Sequence, residues 1–103
     1  MQGLFPLGQI VATPGALETL ARANQTPNEF LLRHISGDWE LDAHDLADNM
    51  YSLKYGLRVM SSYRTKSGDT LWLVTEADRA STTLLLPEED RVQQFVCDRR
   101  TSR

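Results

Sequence analysis

One histidine lies among residues that could move a proton. His34 shares the face of a predicted helix with Phe30 and Leu31, and Asp38 follows just after that helix ends. Because an unperturbed imidazole titrates near neutral pH, the candidate catalytic set is His34 with Asp38 as its orienting carboxylate and Tyr63 nearby. The alternative is a structural histidine bonded to a backbone carbonyl. We favour that alternative, because perturbed titratable groups are often structural.

Arginines and a serine at even spacing form a candidate anion site. Arg58, Ser62 and Arg64 lie on one face of a predicted strand, where guanidinium and hydroxyl groups could hold a phosphate or a carboxylate. A solvated strand face is the alternative that we favour. Asp78 and Arg79 crowd the next turn, where they either line a recognition edge or fix the hairpin as an ion pair. For these two we favour the structural network.

The two tryptophans occupy different contexts. Trp72 falls in the most apolar predicted strand and is expected to anchor the core. Trp39 follows Gly37 and Asp38 in a turn, where it either covers the core or stands at a binding surface. We favour the core position and keep Trp39 among the candidate binding residues.

An acidic run raises the question of a metal ion. Asp38, Asp42, Asp45 and Asp48 surround His44, but the glycine-hinged loop and closing glutamate of a calcium site are missing. Carboxylates early in a helix already gain from the helix dipole. We therefore predict no metal. We also predict no cofactor, because the sequence has no glycine-rich phosphate loop, nucleophile elbow or dinucleotide fingerprint.

Local signals predict three helices. Thr13 and Pro14 start the first, which runs to about Asn24. Thr26 and Glu29 form a capping box for the second, and Asp42 caps the third. Gly37 and Gly56 are expected to end the second and third helices in the left-handed conformation. An inward stripe is predicted on the third helix, with these members: Ala43, Leu46, Met50, Leu53 and, among them, Asn49.

Three strands follow the helices, at about residues 57–64, 70–76 and 81–86, with tight turns between them. Residues 9–13 form either an edge strand or an extended lead-in. The predicted fold class is α+β, with three N-terminal helices packed on one face of a small antiparallel β-meander of three to four strands. The opposite sheet face is then free for recognition.

Composition sets the remaining expectations. The 103 residues are expected to form a single α+β domain, with an ordered core of about 8–96 and a flexible tail at 97–103. A short amphipathic turn is expected around Val92, Phe95 and Val96. Cys97 is the only cysteine, so an intrachain disulfide is impossible and a cytoplasmic location is the expectation. Neither a signal peptide nor a membrane span is predicted. The net charge of -3 disfavours binding to nucleic acid.

Several short motifs resemble a family of small uncharacterised proteins of plasmids and integrative elements in proteobacteria. The motifs are Gly8 to Leu17, Arg33-His34 with Gly37-Asp38-Trp39, Ser62-Tyr63-Arg64, Thr75 to Arg79, Thr82-Thr83 and Leu85-Leu86-Pro87. Glu40 departs from the pattern, where a second glycine is expected. The resemblance implies a mobile-element context and brings no reaction with it. Small endoribonucleases of the barnase and toxin type are similar in architecture alone.

These observations leave two functional hypotheses. The first is a non-enzymatic protein-interaction module of a mobile genetic element, which engages a protein partner through the outer sheet face or an exposed edge strand. The second is a metal-independent endoribonuclease that uses His34, with RNA as its substrate. A homodimer formed by edge-strand pairing is an accompanying expectation, because unpaired strand edges recruit strands from neighbouring molecules.

Overall fold

A four-stranded sheet forms the centre of the fold. The computed structural model describes residues 3–89. Within them the elements in chain order are β1 (Gln9–Ala12), α1 (Pro14–Ala23), α2 (Pro27–Ser36), α3 (Ala43–Tyr55), β2 (Val59–Arg64), β3 (Thr70–Thr75) and β4 (Ser81–Leu85). A helical turn follows at residues 87–89. The predicted turn around Val92, Phe95 and Val96, Cys97 and the tail at 97–103 lie outside the described residues.

The α+β class is confirmed, but the sheet is mixed. Strands β2, β3 and β4 form the predicted antiparallel meander, in the sheet order β1-β4-β3-β2. Strand β1 joins the edge parallel to β4, with Val11 opposite Thr83. The prediction of a purely antiparallel sheet is therefore wrong. Three helices separate β1 from the meander, and a crossover of that length permits a parallel pairing that no local sequence signal specifies.

The helix ends follow the predicted capping signals. The Thr13 side chain accepts a hydrogen bond from the Ala16 N–H, and the Asp42 side chain accepts one from the Asp45 N–H. The Glu29 carboxylate accepts a bond from the Thr26 N–H over 3.3 Å, as the predicted capping box requires. Gly37 and Gly56 end α2 and α3 with φ angles of 90° and 68°. That left-handed conformation carries no steric cost for glycine.

Helices α1 and α2 cover one face of the sheet. Their apolar side chains pack on those of β2, β3 and β4 in the main core, which contains Ala16, Leu20, Phe30, Leu31, Tyr63, Leu71, Leu73 and Leu84. A smaller cluster of Phe5, Trp39 and Val59 adjoins it, with Ile35, Leu41 and Leu53 packed against it. These two clusters hold α2 firmly against the middle of the sheet.

Helix α3 lies along the edge of β2, where its Leu53 joins the smaller cluster, so the prediction that all three helices pack on one face is not confirmed. The Asn49 carboxamide donates to the Met60 carbonyl over 2.5 Å and accepts from the Met60 N–H over 3.1 Å. The Trp39 carbonyl accepts from the Ser62 N–H at 3.5 Å. Helix α3 and the preceding loop therefore occupy hydrogen-bonding positions that a further strand would need.

Candidate functional site

His34 lies in a buried relay of hydrogen bonds, which consists of Ser61, His34, Thr75 and Thr82. Its Nδ1 is 2.6 Å from Ser61 Oγ, and its Nε2 is 2.9 Å from Thr75 Oγ1. Thr75 Oγ1 is 2.7 Å from Thr82 Oγ1, and Thr82 donates to the Leu7 carbonyl over 2.8 Å. All four side chains are fully buried. The buried relay thus connects α2 to three successive strands.

The Leu7 carbonyl fixes the direction of the bonds from Thr82 back to His34. A carbonyl only accepts, so the Thr82 hydroxyl donates to it and must accept from Thr75. Thr75 in turn accepts from the Nε2–H of His34. Burial lowers the pKa of His34 to about 4, so the imidazole is neutral near pH 7 and its Nδ1 accepts from the Ser61 hydroxyl. The ring has no free nitrogen to offer a substrate.

Asp38 does not orient His34, in contrast to the sequence-based hypothesis. Its carboxylate accepts a bond from Arg33 Nε over 2.7 Å, and Glu40 accepts one from the same guanidinium. These bonds to Asp38 and Glu40 raise the pKa of Arg33. The Arg33 guanidinium also lies 4.5 Å from the centre of the Tyr63 ring. Asp38 and Glu40 lie in the loop after α2, so their bonds to Arg33 stabilise that loop.

Tyr63 also serves the loop after α2. Its hydroxyl donates to the Asp38 carbonyl over 2.7 Å, and burial raises the pKa of Tyr63 to about 12. Trp39 is only 2% exposed and donates from Nε1 to the His34 carbonyl over 2.7 Å. The structure therefore places Trp39 in the core and not at a surface. Both aromatic side chains hold the loop against the sheet.

The candidate anion site lies on the opposite side of the sheet from His34. Arg58 and Arg64 flank Ser62 along the strand, about 20 Å apart at the rise of an extended chain. Arg58 bonds to the Glu76 carboxylate over 3.2 Å, while Arg64 donates to the carbonyl of its own hairpin loop. Arg58, Ser62 and Arg64 do not converge on one point, and none of them is hydrogen-bonded to His34. The residues named for the endoribonuclease hypothesis, His34, Arg58 and Arg64, therefore do not converge on one site.

Asp78 and Arg79 fix the turn between β3 and β4. The Asp78 carboxylate accepts from the Ala80 N–H over 2.9 Å. Arg79 donates to the carbonyls of Leu57 and Ser52 over 2.6 and 3.4 Å, so its charge lies at the carboxyl end of α3. The favoured prediction was a polar network of Glu76, Asp78 and Arg79 with a carboxylate paired to the guanidinium, whereas Arg79 bonds to backbone carbonyls, that of Glu76 among them.

The acidic run is solvent-exposed. The potential ligand atoms of His44, Asp45 and Asp48 lie within 4.8 Å of one another, and all three residues are exposed at the start of α3. Asp42 caps the helix, and Asp38 binds Arg33. Asp45, in the first turn of α3, is stabilised there by the helix dipole.

The outer sheet face is not the free platform that the sequence suggested. Leu85 and Val74, at its centre, are 1% and 6% exposed. Trp72 lies between Ser62 and Leu85 in the register, on the face away from α1 and α2, and is half-buried. Trp72 is therefore not an anchor of the main core. Strict alternation predicted its face, but the sequence did not show which face the helices cover.

Strand β1 leaves an unpaired edge. Gln9 and Thr13 donate to carbonyls at the ends of β4, so alternation points the N–H and C=O groups of Ile10 and Ala12 away from the sheet. No residue within 3–89 pairs with these groups as a further strand. The homodimer formed through an edge strand stays a prediction, and β1 is the strand that it would use.

The apolar side of helix α3 faces solvent, in contrast to the inward stripe predicted from the sequence. The outer α3 surface, as we call it, consists of Ala43, Leu46, Ala47, Met50, Tyr51, Lys54 and Tyr55, and all of these residues are exposed. Met50 and Tyr51 are each 59% exposed, whereas Asn49 is 5% exposed. The prediction of an inward stripe is therefore wrong for Ala43, Leu46 and Met50. The available signal was Asn49, a polar residue at the middle of that stripe.

Comparisons of the chain with protein-family models, with curated proteins and with solved structures found no match. Among the described helices, none combines the length and apolar character that a membrane crossing requires.

Proposed function

We propose that this protein is a non-enzymatic protein-interaction module whose docking site is the outer α3 surface. The observation that carries the proposal is the orientation of α3. Its one buried side chain is the polar Asn49, and Leu53 packs partly buried on the smaller cluster. Its other large apolar side chains, Leu46, Met50, Tyr51 and Tyr55, are exposed. An amphipathic helix of a globular protein has the reverse orientation.

Exposed apolar side chains are common singly, but these are contiguous. Leu46 and Met50 are one helical turn apart, and the rings of Tyr51 and Tyr55 have centroids 4.5 Å apart. Contiguous apolar patches on soluble proteins mark interaction sites. Tyrosine and methionine are also enriched where proteins bind one another, and tyrosine contributes a large contact area at low entropic cost.

The role of His34 supports the non-enzymatic part of the proposal. Both of its ring nitrogens are bonded within the buried relay, and the arginines that could bind phosphate lie across the sheet. The residues most capable of chemistry are thus used to hold the fold. The resemblance to proteins of plasmids and integrative elements supports a role within a mobile element.

Site-specific photo-crosslinking tests the docking site. A benzophenone amino acid in place of Tyr51 is expected to capture a discrete partner in cells, since Tyr51 lies in the outer α3 surface and is 59% exposed. The matched control is the same amino acid in place of Leu32, which is 53% exposed on α2. Met50→Asp should abolish the adduct at position 51. No adduct at position 51, or equal adducts at both positions, would refute the proposed site.

A further inference from the structure

We infer that the partner bound by the outer α3 surface is a second copy of this chain, whose α3 packs antiparallel to the first. The inference rests on the proposed function, because it names the occupant of the same surface. Its basis is that this surface is complementary to itself in size and in charge when one helix is reversed, as a twofold symmetric interface requires.

The size pattern is the first argument. Ala43, Ala47, Met50 and Lys54 follow one line of α3 at spacings of four, three and four residues, and all are exposed. Reversal of this line about its centre, between Ala47 and Met50, places a large side chain opposite a small one at each step. Met50 then faces Ala47 of the other copy, and Lys54 faces Ala43. A parallel arrangement would instead oppose Met50 to itself.

The charge pattern is the second argument. The beginning of α3 carries the exposed carboxylates of Asp42, Asp45 and Asp48, whereas its end carries the exposed Lys54. An antiparallel pair places the acidic end of each helix beside the basic end of the other, and the two helix dipoles also oppose each other. A parallel pair would instead bring like charges together at both ends.

The mass of the protein in solution is the first test. Sedimentation equilibrium of the full chain is expected to give twice the 11.7 kDa of one copy at micromolar concentration. Met50→Asp should give a monomer whose circular dichroism is unchanged, because the exposed side chain contributes little to the fold. The control Leu32→Asp, at a similarly exposed apolar position, should remain dimeric. A wild-type chain that stays monomeric at every concentration up to about 1 mM would overturn the inference.

Disulfide trapping tests the direction of the helices. In a Cys97→Ser background, two copies of Met50→Cys should cross-link, since an antiparallel pair separates them by about 4.5 Å along the axis. Two copies of Ala43→Cys should not, because they are about 16 Å apart along the axis. A mixture of Ala43→Cys and Lys54→Cys proteins should form the mixed disulfide. Cross-linking of Ala43→Cys to itself without the mixed product would overturn the antiparallel arrangement.

The two sets of experiments separate the inference from the proposed function. Adducts at position 51 to a second copy of the chain, together with a dimeric mass, support both. Adducts to a different protein from a monomeric chain overturn the inference and leave the docking site standing. The absence of any specific adduct at position 51, from a monomeric chain, overturns both.

Discussion

At the scale of single residues, hydroxyl groups explain how a histidine is buried without a charged partner. Ser61 and Thr75 satisfy both nitrogens of His34, and the Leu7 carbonyl ends the buried relay at an acceptor. A buried polar group carries little net cost when it is fully bonded. Sequence reasoning favoured a structural His34 but expected a carbonyl partner. The true partners are 27 and 41 residues away, and only the strand register brings them together.

Stability should fall in mild acid because of His34. Its pKa is about 4 in the folded protein against 6.5 in the unfolded chain, so the unfolded state binds the extra proton between these values. The His34 contribution is complete above pH 6.5 and is lost as the pH falls towards 4, by about 3 kcal/mol in total. Urea unfolding at pH 7 and pH 4.5 measures this loss.

A substitution of the buried ring identifies the source of that acid sensitivity. His34→Gln should flatten the dependence of unfolding free energy on pH, because it removes the buried imidazole that the unfolded chain would protonate. An unchanged slope in His34→Gln would contradict the assignment of the acid sensitivity to the buried relay.

Adjacent threonines on β4 should respond differently to the same substitution. Thr82→Val removes the hydroxyl that joins Thr75 to the Leu7 carbonyl, and we expect a loss of about 1–3 kcal/mol in unfolding free energy. Thr83→Val, on the opposite face and half-buried, should change it by about 0.5 kcal/mol or less. Both variants keep a β-branched residue in the strand, so thermal unfolding compares the hydroxyls alone. Equal changes in unfolding free energy for the two variants would contradict a contribution of the buried relay to stability.

At the scale of elements, local signals predicted the helices and strands well, but not their arrangement. The caps at Thr13 and Asp42 and the ends at Gly37 and Gly56 depend on bonds within one helical turn, so the sequence displays them directly. The direction of β1 depends on a crossover of three helices. Which side of α3 is buried depends on its contact with the edge of β2. The pattern of apolar residues within α3 gives no information about that contact.

Asn49 is the residue through which α3 binds the sheet. Asn49→Ala removes both hydrogen bonds to the Met60 backbone and leaves that N–H and C=O without their partner. We expect a loss of about 1–3 kcal/mol in unfolding free energy and faster hydrogen exchange at the Met60 amide. Asn28→Ala, at an exposed helical position, is the matched control and should be close to neutral. Unchanged exchange at Met60 would contradict the role of Asn49.

At the scale of the whole molecule, the fold divides its residues between two tasks. The side chains that could do chemistry, His34 and Tyr63 above all, lie inside and maintain the layers. Four exposed large apolar side chains lie together on α3, which contributes nothing to the main core, whereas the others, such as Leu17 and Leu32, are spread over other elements. The fold class could be predicted from the order of helices and strands. The location of the proposed docking site could not, because it depends on which elements leave a helix face uncovered.

Thermal stability should therefore depend on protein concentration. If two copies unfold from one dimer, a tenfold rise in concentration should raise the midpoint of unfolding by about 3 °C. Met50→Asp should remove this dependence, and Leu32→Asp should retain it. Calorimetry over a hundredfold range of concentration measures the shift. A midpoint that is constant in the wild type would contradict the dimer.

The bonds from Asn49 and Trp39 to β2 also limit how such sheets could join. Fibrillar growth by strand addition needs both borders of every sheet to be open, so that each new molecule offers a place for the next. Here β2 is already occupied, and among the strands within 3–89 only β1 has a border without a partner. Strand addition through β1 alone would consequently stop at a pair of molecules.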